Sequence, residues 1–199
     1  MTNTWFTSDL HLGHERIVDL CYRPYESVTH MNETLIANWN DVVGHDDTVM
    51  ILGDLVMGTI AETLPLISRL NGHKSLIAGN HDRWWGLMGA TEPKKVAKWE
   101  RWSVAYEDVG LELVTDKWVD ERISGNHLVR MCHFPYVGDH TEEDRYVEER
   151  PPDDGLILLH GHVHDGWKVN GRQINVGVDV HDYHPVAESD IVRLIEQIV

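Results

Sequence analysis

Five short segments of the chain carry the side chains best suited to hold a metal ion: Asp9-Leu10-His11, Gly53-Asp54, Gly79-Asn80-His81-Asp82, His133 and Gly161-His162-Val163-His164. Nearly all of them follow an apolar run that reads as a β-strand, and strand ends deliver residues distant in sequence into one crevice. Carboxylate, carboxamide and imidazole donors without a thiolate suit borderline divalent ions such as Mn, Fe, Zn, Co or Ni. Asp9, His11, Asp54, Asn80, His133, His162 and His164 are too many ligands for one ion that keeps an open position. They match two ions that share a bridging group. Dinuclear centres of this kind most often hydrolyse phosphate esters.

In order and type the segments resemble the calcineurin-like metallophosphoesterase superfamily, whose pattern is D-x-H, G-D, G-N-H-D/E, a lone His and G-H-x-H. All five blocks are present, in order, between Asp9 and His164. One block alone is a common accident; the ordered set is not. The resemblance implies an α/β fold, a four-layer α/β/β/α sandwich of two facing mixed sheets with the site at one edge. It also implies that Asp9, His11 and His164 hold one ion, that Asn80, His133 and His162 hold the other, and that Asp54 bridges them. A hydroxide shared by the two divalent ions, Mn being the first expectation, is then the nucleophile. His81, beside a ligand but not one itself, is the expected general acid, with Asp82 holding its imidazole protonated and aimed.

The elements that must position these groups are legible in outline. Thr4–Ser8, Thr48–Leu52 and Lys74–Ala78 read as strands, each running into a ligand block. Ser27–Val43 has Met31, Leu35, Ile36 and Trp39 at helical spacing, and Ile60–Leu70 and Pro93–Trp102 read as further helices. Gly13–Cys21 could form a short helix. Strand and helix alternate in this half, which predicts parallel pairing. Leu111–Thr115, Lys117–Ile123, His127–His133 and Leu156–His160 read as strands, with hairpin turns at Gly125-Asn126 and Gly171. Ser189–Ile198 fits helix or strand. In an extended segment, residues i and i+2 share a side, so Asp9 pairs with His11 and His162 with His164. No internal repeat or linker divides residues 1–199, so one domain is expected.

The chain has 199 residues, with 17 basic against 33 acidic and a formal charge of −16. That balance argues against a grip on long nucleic acid, which needs a basic face to displace counterions, and favours a small phosphate-ester substrate. No apolar stretch approaches the roughly 20 residues that span a bilayer, and Met1–Trp5 does not begin a leader. Cys21 and Cys132 show no disulfide or zinc spacing, so a cytoplasmic protein is expected, with Cys132 a core thiol facing away from His133. His14 and Arg83 are further candidates for contact with substrate phosphate, His160 for support behind the ligands, and Trp84 and Trp85 for stacking on a base. His140 is among the histidines read as surface. The acidic stretch from Gly138 to Gly155 reads as a solvated loop, or as a lid or dimer contact that restricts which substrates enter. The functional expectation is a phosphodiesterase acting on a small substrate such as a (cyclic) nucleotide. The alternatives are a phosphomonoesterase, a nuclease and a non-catalytic scaffold. A protein phosphatase is disfavoured, because Gly53-Asp54-Leu55-Val56-Met57-Gly58 lacks the Asp-Arg pair of G-D-x-V-D-R-G.

Overall fold

The computed structural model describes residues 2–139, 141 and 143–198; His140 and Glu142, the latter part of the acidic stretch, lie outside the described residues. In chain order the strands are β1 (Thr4–Thr7), β2 (Thr48–Ile51), β3 (His73–Ile77), β4 (Leu111–Thr115), β5 (Trp118–Ile123), β6 (His127–Cys132), β7 (Ile157–His160), β8 (Val169–Asn170), β9 (Gln173–Asn175) and β10 (Val186–Ala187). They form two five-stranded sheets, ordered β10-β1-β2-β3-β4 and β5-β6-β7-β9-β8. In the first, β1 to β4 run parallel, as the strand–helix alternation predicts, and β10 closes one edge antiparallel. In the second, β6, β7 and β9 are parallel, with antiparallel β5 and β8 at the edges.

The helices are α1 (Ile17–Leu20), α2 (Val28–Val42), α3 (Ile60–Thr63), α4 (Pro93–Glu107) and α5 (Glu188–Ile198). The Ser27 hydroxyl caps α2 by accepting from His30 N at 3.1 Å. The helix buries Met31, Leu35, Ile36 and Trp39, the expected stripe, in a cluster with Val49, Ile51 and Leu76 of the first sheet. The single helix expected over Ile60–Leu70 divides into α3 and a tighter 3-10 segment, Leu64–Arg69. Pro65 is the reason, since it lacks an N–H and its ring crowds the carbonyl of the preceding turn. α4 runs beyond Trp102 and buries Tyr106. α5, ambiguous in sequence, is helical. Its Ile191 and Ile195 join Phe6, Leu52 and Ile77 of the first sheet and Val129, Met131, Leu159 and Ile174 of the second in one inter-sheet cluster. Cys132 is buried with Phe134, Tyr136 and Leu158, and burial pushes its thiol up to about 12. No helix among the described residues is long and apolar enough to cross a membrane.

Asp47 ties the start of β1 to the turn before β2. Its carboxylate accepts from Asn3 N at 2.8 Å, Gly44 N at 3.0 Å and Trp5 Nε1 at 3.0 Å. These bonds favour the charged form and hold the carboxyl down at about 2. A depressed carboxyl contributes stability above its ordinary pKa and loses it as pH falls through the folded value. Asp47→Asn is therefore expected to lower the melting temperature at neutral pH. In a thermal-melt series the difference from wild type should shrink as pH falls from about 4 to about 2. A pH-independent difference would assign the effect to packing.

Candidate metal centre

The ligand blocks occupy the ends of β1, β2, β3, β6 and β7, where both sheets open onto one edge. The extended geometry expected for the i, i+2 pairs is not what forms. Asp9, His11, Asp54, His162 and His164 all have left-handed backbones, with φ of +58°, +51°, +54°, +72° and +48°. Beyond Thr7 the chain leaves the β1–β2 ladder, and the two loops hold each other instead: Asp9 N donates to Gly53 O at 3.1 Å and His11 N to Asp54 O at 3.0 Å. Left-handed non-glycine residues cost of order 1–3 kcal/mol each and cluster at functional sites. Two glycines let these loops approach. A Cβ at Gly161 would collide with Ser8 and Asp9, and one at Gly79 with Asp54.

Backbone donors fix the two central carboxylates. His162 N donates to Asp9 Oδ2 at 3.0 Å, and His81 N to Asp54 Oδ1 at 2.8 Å. This leaves Asp54 Oδ2 between two imidazoles, 3.5 Å from both His11 Nε2 and His133 Nε2. Ligand atoms of Asp9, His11 and His164 lie within 4.8 Å of one another, as do those of Asp9, Asp54 and His133. Asn80 Oδ1 is 3.1 Å from His133 Nε2. Asp9 Oδ1 and His11 Nε2 are buried without a hydrogen-bond partner, a costly state that a bound cation removes. Burial, followed by the charge of Asp9, pushes the Asp54 carboxyl well above the usual carboxylate range. Two buried carboxylates facing imidazoles thus form a donor set that fits divalent cations.

The family described as calcineurin-like phosphoesterase matches residues 2–166. The chain belongs to that family. Members typically bind two divalent metal ions, and this calcineurin-like phosphoesterase is accordingly a metal-dependent phosphoester hydrolase. It is 40% identical to the gene 66 protein of Mycobacterium phage L5, over 90% of this chain and 87% of that protein. It is 37% identical to the gene 66 protein of Mycobacterium phage D29, over 99% of both chains. The crystal structure of a protein of unknown function from Aquifex aeolicus shares the fold, with a TM-score of 0.69 and 24% identity over 98% of this chain and 100% of that one.

Behind the donor atoms of this phosphoesterase lies a set of supports that no sequence block announced. His11 Nδ1 meets Met57 Sδ at 3.3 Å, His133 Nδ1 meets Leu52 O at 2.8 Å, and His164 Nδ1 meets Asp179 Oδ2 at 3.1 Å. Such partners fix ring orientation and tautomer. Asp179 is itself gripped through both oxygens by Arg23, from Nε and Nη2, each at 2.8 Å. Arg23 also donates to Leu10 O at 3.0 Å and Asp9 O at 2.7 Å. One buried guanidinium thus connects the backbone of the first ligand block to the imidazole of the last.

A cavity of about 470 Å³ opens over the centre, lined by His11, Asp54, Asn80, His81, His162 and His164. His14 joins the lining, as do Arg16, Ile17 and Leu20, and Thr141 and Arg145 of the acidic stretch. Arg83 does not: it is exposed and outside this lining. His81 is 41% exposed, its Nε2 3.9 Å from Asp54 Oδ2. Burial, with His133 and His14 nearby, pushes its imidazole down to about 4. Asp82 does not take the expected place beside it. Its carboxylate is buried and accepts from Asp54 N at 2.9 Å, Gly79 N at 2.8 Å and Leu55 N at 3.3 Å. It is a brace between the β2 and β3 loops, because three backbone donors converge where the His81 ring does not reach. His160 is buried with Nδ1 2.7 Å from Gly161 O. Trp84 lies in the core, edge-on to Trp99, rather than in the cavity wall, and Trp85 packs on Phe134 and Tyr146.

Proposed function

We propose that the chain is a phosphodiesterase for a small phosphate ester such as a (cyclic) nucleotide, working in the cytoplasm with two divalent ions, Mn first among them. The observation that carries this is the shape and lining of the cavity over the donor set. At about 470 Å³ it suits a small ligand. In a chain of formal charge −16, Arg16 puts positive charge on its wall, while Ile17 and Leu20 offer an apolar lip. The replacement of the protein-phosphatase Asp-Arg pair by Met57-Gly58 argues against a protein phosphatase.

In this reading Asp9, His11 and His164 would hold one ion, Asn80, His133 and His162 the other, and Asp54 would serve both. The ions supply Lewis acidity toward the phosphoryl oxygens and a nucleophile at neutral pH. Arg16 binds and orients the substrate's anionic part. His81 faces the cavity; its ring, held down at about 4 in the empty site, must take up a proton as the phosphate anion binds beside it before it can hand one to the departing oxygen.

The test is hydrolysis of bis(p-nitrophenyl) phosphate and p-nitrophenyl phosphate by metal-free protein restored with Mn, Ni, Zn or Mg. Metal-restored turnover favouring the diester by at least about tenfold in kcat/KM is expected, with both reactions impaired in His81→Ala. Preference for the monoester would replace the reading by a phosphomonoesterase. Two bound ions without turnover of either ester would favour the scaffold.

A further inference from the structure

Three of the four ligand histidines share an arrangement: one ring nitrogen faces the donor cluster and the other meets a fixed protein group, Met57, Leu52 O or Asp179. The fourth, His162, has its Nε2 3.5 Å from Asp139 Oδ2. Asp139 belongs to the acidic stretch, yet it is unlike its neighbours there. Glu143, Asp144, Glu148, Glu149, Asp153 and Asp154 are exposed, whereas the Asp139 side chain has no exposed surface. Arg145 holds it in place, from N and Nε to Oδ2 at 3.2 Å and from Nη2 to Oδ1 at 3.1 Å. The next residue, Tyr146, sets its ring perpendicular to His162 at 5.3 Å and stacks on Phe134 at 5.1 Å.

We propose that Asp139 is the positioning residue of the second ion: its carboxylate, clamped by Arg145 and 3.5 Å from His162 Nε2, would draw that nitrogen into a hydrogen bond when the ion binds and leave Nδ1 for the metal. Asp139, Arg145 and Tyr146 are then part of the metal centre, and their placement is coupled to occupancy of one of the two sites. A burial this complete needs such a purpose. An aspartate removed from water costs several kcal/mol unless charged or donor partners surround it, and both Arg145 and His162 do so. The inference rests on the dinuclear reading above and adds a ligand-orienting group that acts on one ion only.

The experiment is calorimetric titration of the metal-free full chain with Mn, paired with electron paramagnetic resonance of the loaded protein. Wild type should take up two ions and show the exchange-coupled signal of a Mn pair. In Asp139→Asn and Asp139→Ala the first ion should bind as before. The second should bind roughly 10–100-fold more weakly, the usual loss when an outer partner of a ligand histidine is removed. The coupled signal should fade and return at higher Mn; the metal-free variants should melt somewhat lower because Arg145 loses its partner, an effect that would weaken both ions alike and so cannot mimic selective loss of the second. Arg145→Gln should act in the same direction and carries the test if the Asp139 variants do not fold. Glu143→Gln, on the exposed side, should match wild type. Unchanged binding of the second ion, or equal weakening of both, would overturn the proposal. Wild type that binds a single ion would instead overturn the dinuclear reading beneath it.

Discussion

Asp54→Asn should abolish the two-ion state and, with it, hydrolysis. The variant keeps an oxygen for His81 N, which now bonds Oδ1 at 2.8 Å, so the loop need not move. What it removes is the charge on the one oxygen that lies 3.5 Å from both His11 Nε2 and His133 Nε2. Losing a support behind a ligand costs about 10–100-fold in metal affinity; losing the shared ligand itself should exceed that for the second ion. The expected fall in kcat is more than about 10³-fold, beyond the 10²–10³ typical of a single lost transition-state donor. Stability should move the other way. Burial and Asp9 hold the Asp54 carboxyl well above its usual range, so without cations an ionised Asp54 destabilises the fold above its ordinary pKa, and protonation relieves it. The metal-free variant should thus melt at or above wild type at neutral pH, whereas added Mn should raise its melting temperature less. A variant that melts lower without metal, or that retains two ions, would remove Asp54 from the bridging position.

That the donor-bearing segments meet at one edge was legible because each is local: a hydrophobic strand, a turn residue and a donor, repeated in a known order. The parallel half of the first sheet was legible for the same reason. Two kinds of information were not. Backbone shape at the strand ends came from contact between loops, since Asp9 N and His11 N bond to the β2 loop rather than continuing a ladder. Alternation in sequence therefore pointed to extended pairs where left-handed turns exist. Partners separated by a long stretch of chain were equally invisible. Arg23 and Asp179 meet across 156 residues, and neither carries a pattern of its own. Asp139 was hidden by composition, one acid in an acidic run, and only its burial against Arg145 and His162 sets it apart. Asp82 shows the converse error: adjacency to His81 suggested a partner, but neighbours in a tight turn point apart, and its carboxylate serves three backbone donors instead.

Arg23→Met is expected to destabilise the protein by about 3–5 kcal/mol, because it leaves the buried Asp179 carboxylate with the His164 ring but without the guanidinium that engaged both its oxygens. The pair is enclosed, with side chains 0% and 1% exposed, so solvent cannot replace the guanidinium. The double change Arg23→Met with Asp179→Leu removes the orphaned charge and should recover part of that loss. Recovery should stay incomplete, since the Asp9 and Leu10 carbonyls that accept from Arg23 remain without it, at about 1–3 kcal/mol for each left unsatisfied. Metal binding should not recover at all. Without Asp179 the His164 ring loses the partner on Nδ1, and affinity for the first ion should stay about 10–100-fold below wild type. Denaturant melts and Mn titrations of the single and double variants separate the two roles. If affinity returns together with stability, Arg23 and Asp179 only hold the fold. If stability returns in part and affinity does not, the buried pair exists to aim His164, and a charge pair that a hydrophobic replacement could approximate in energy is retained for the orientation it imposes.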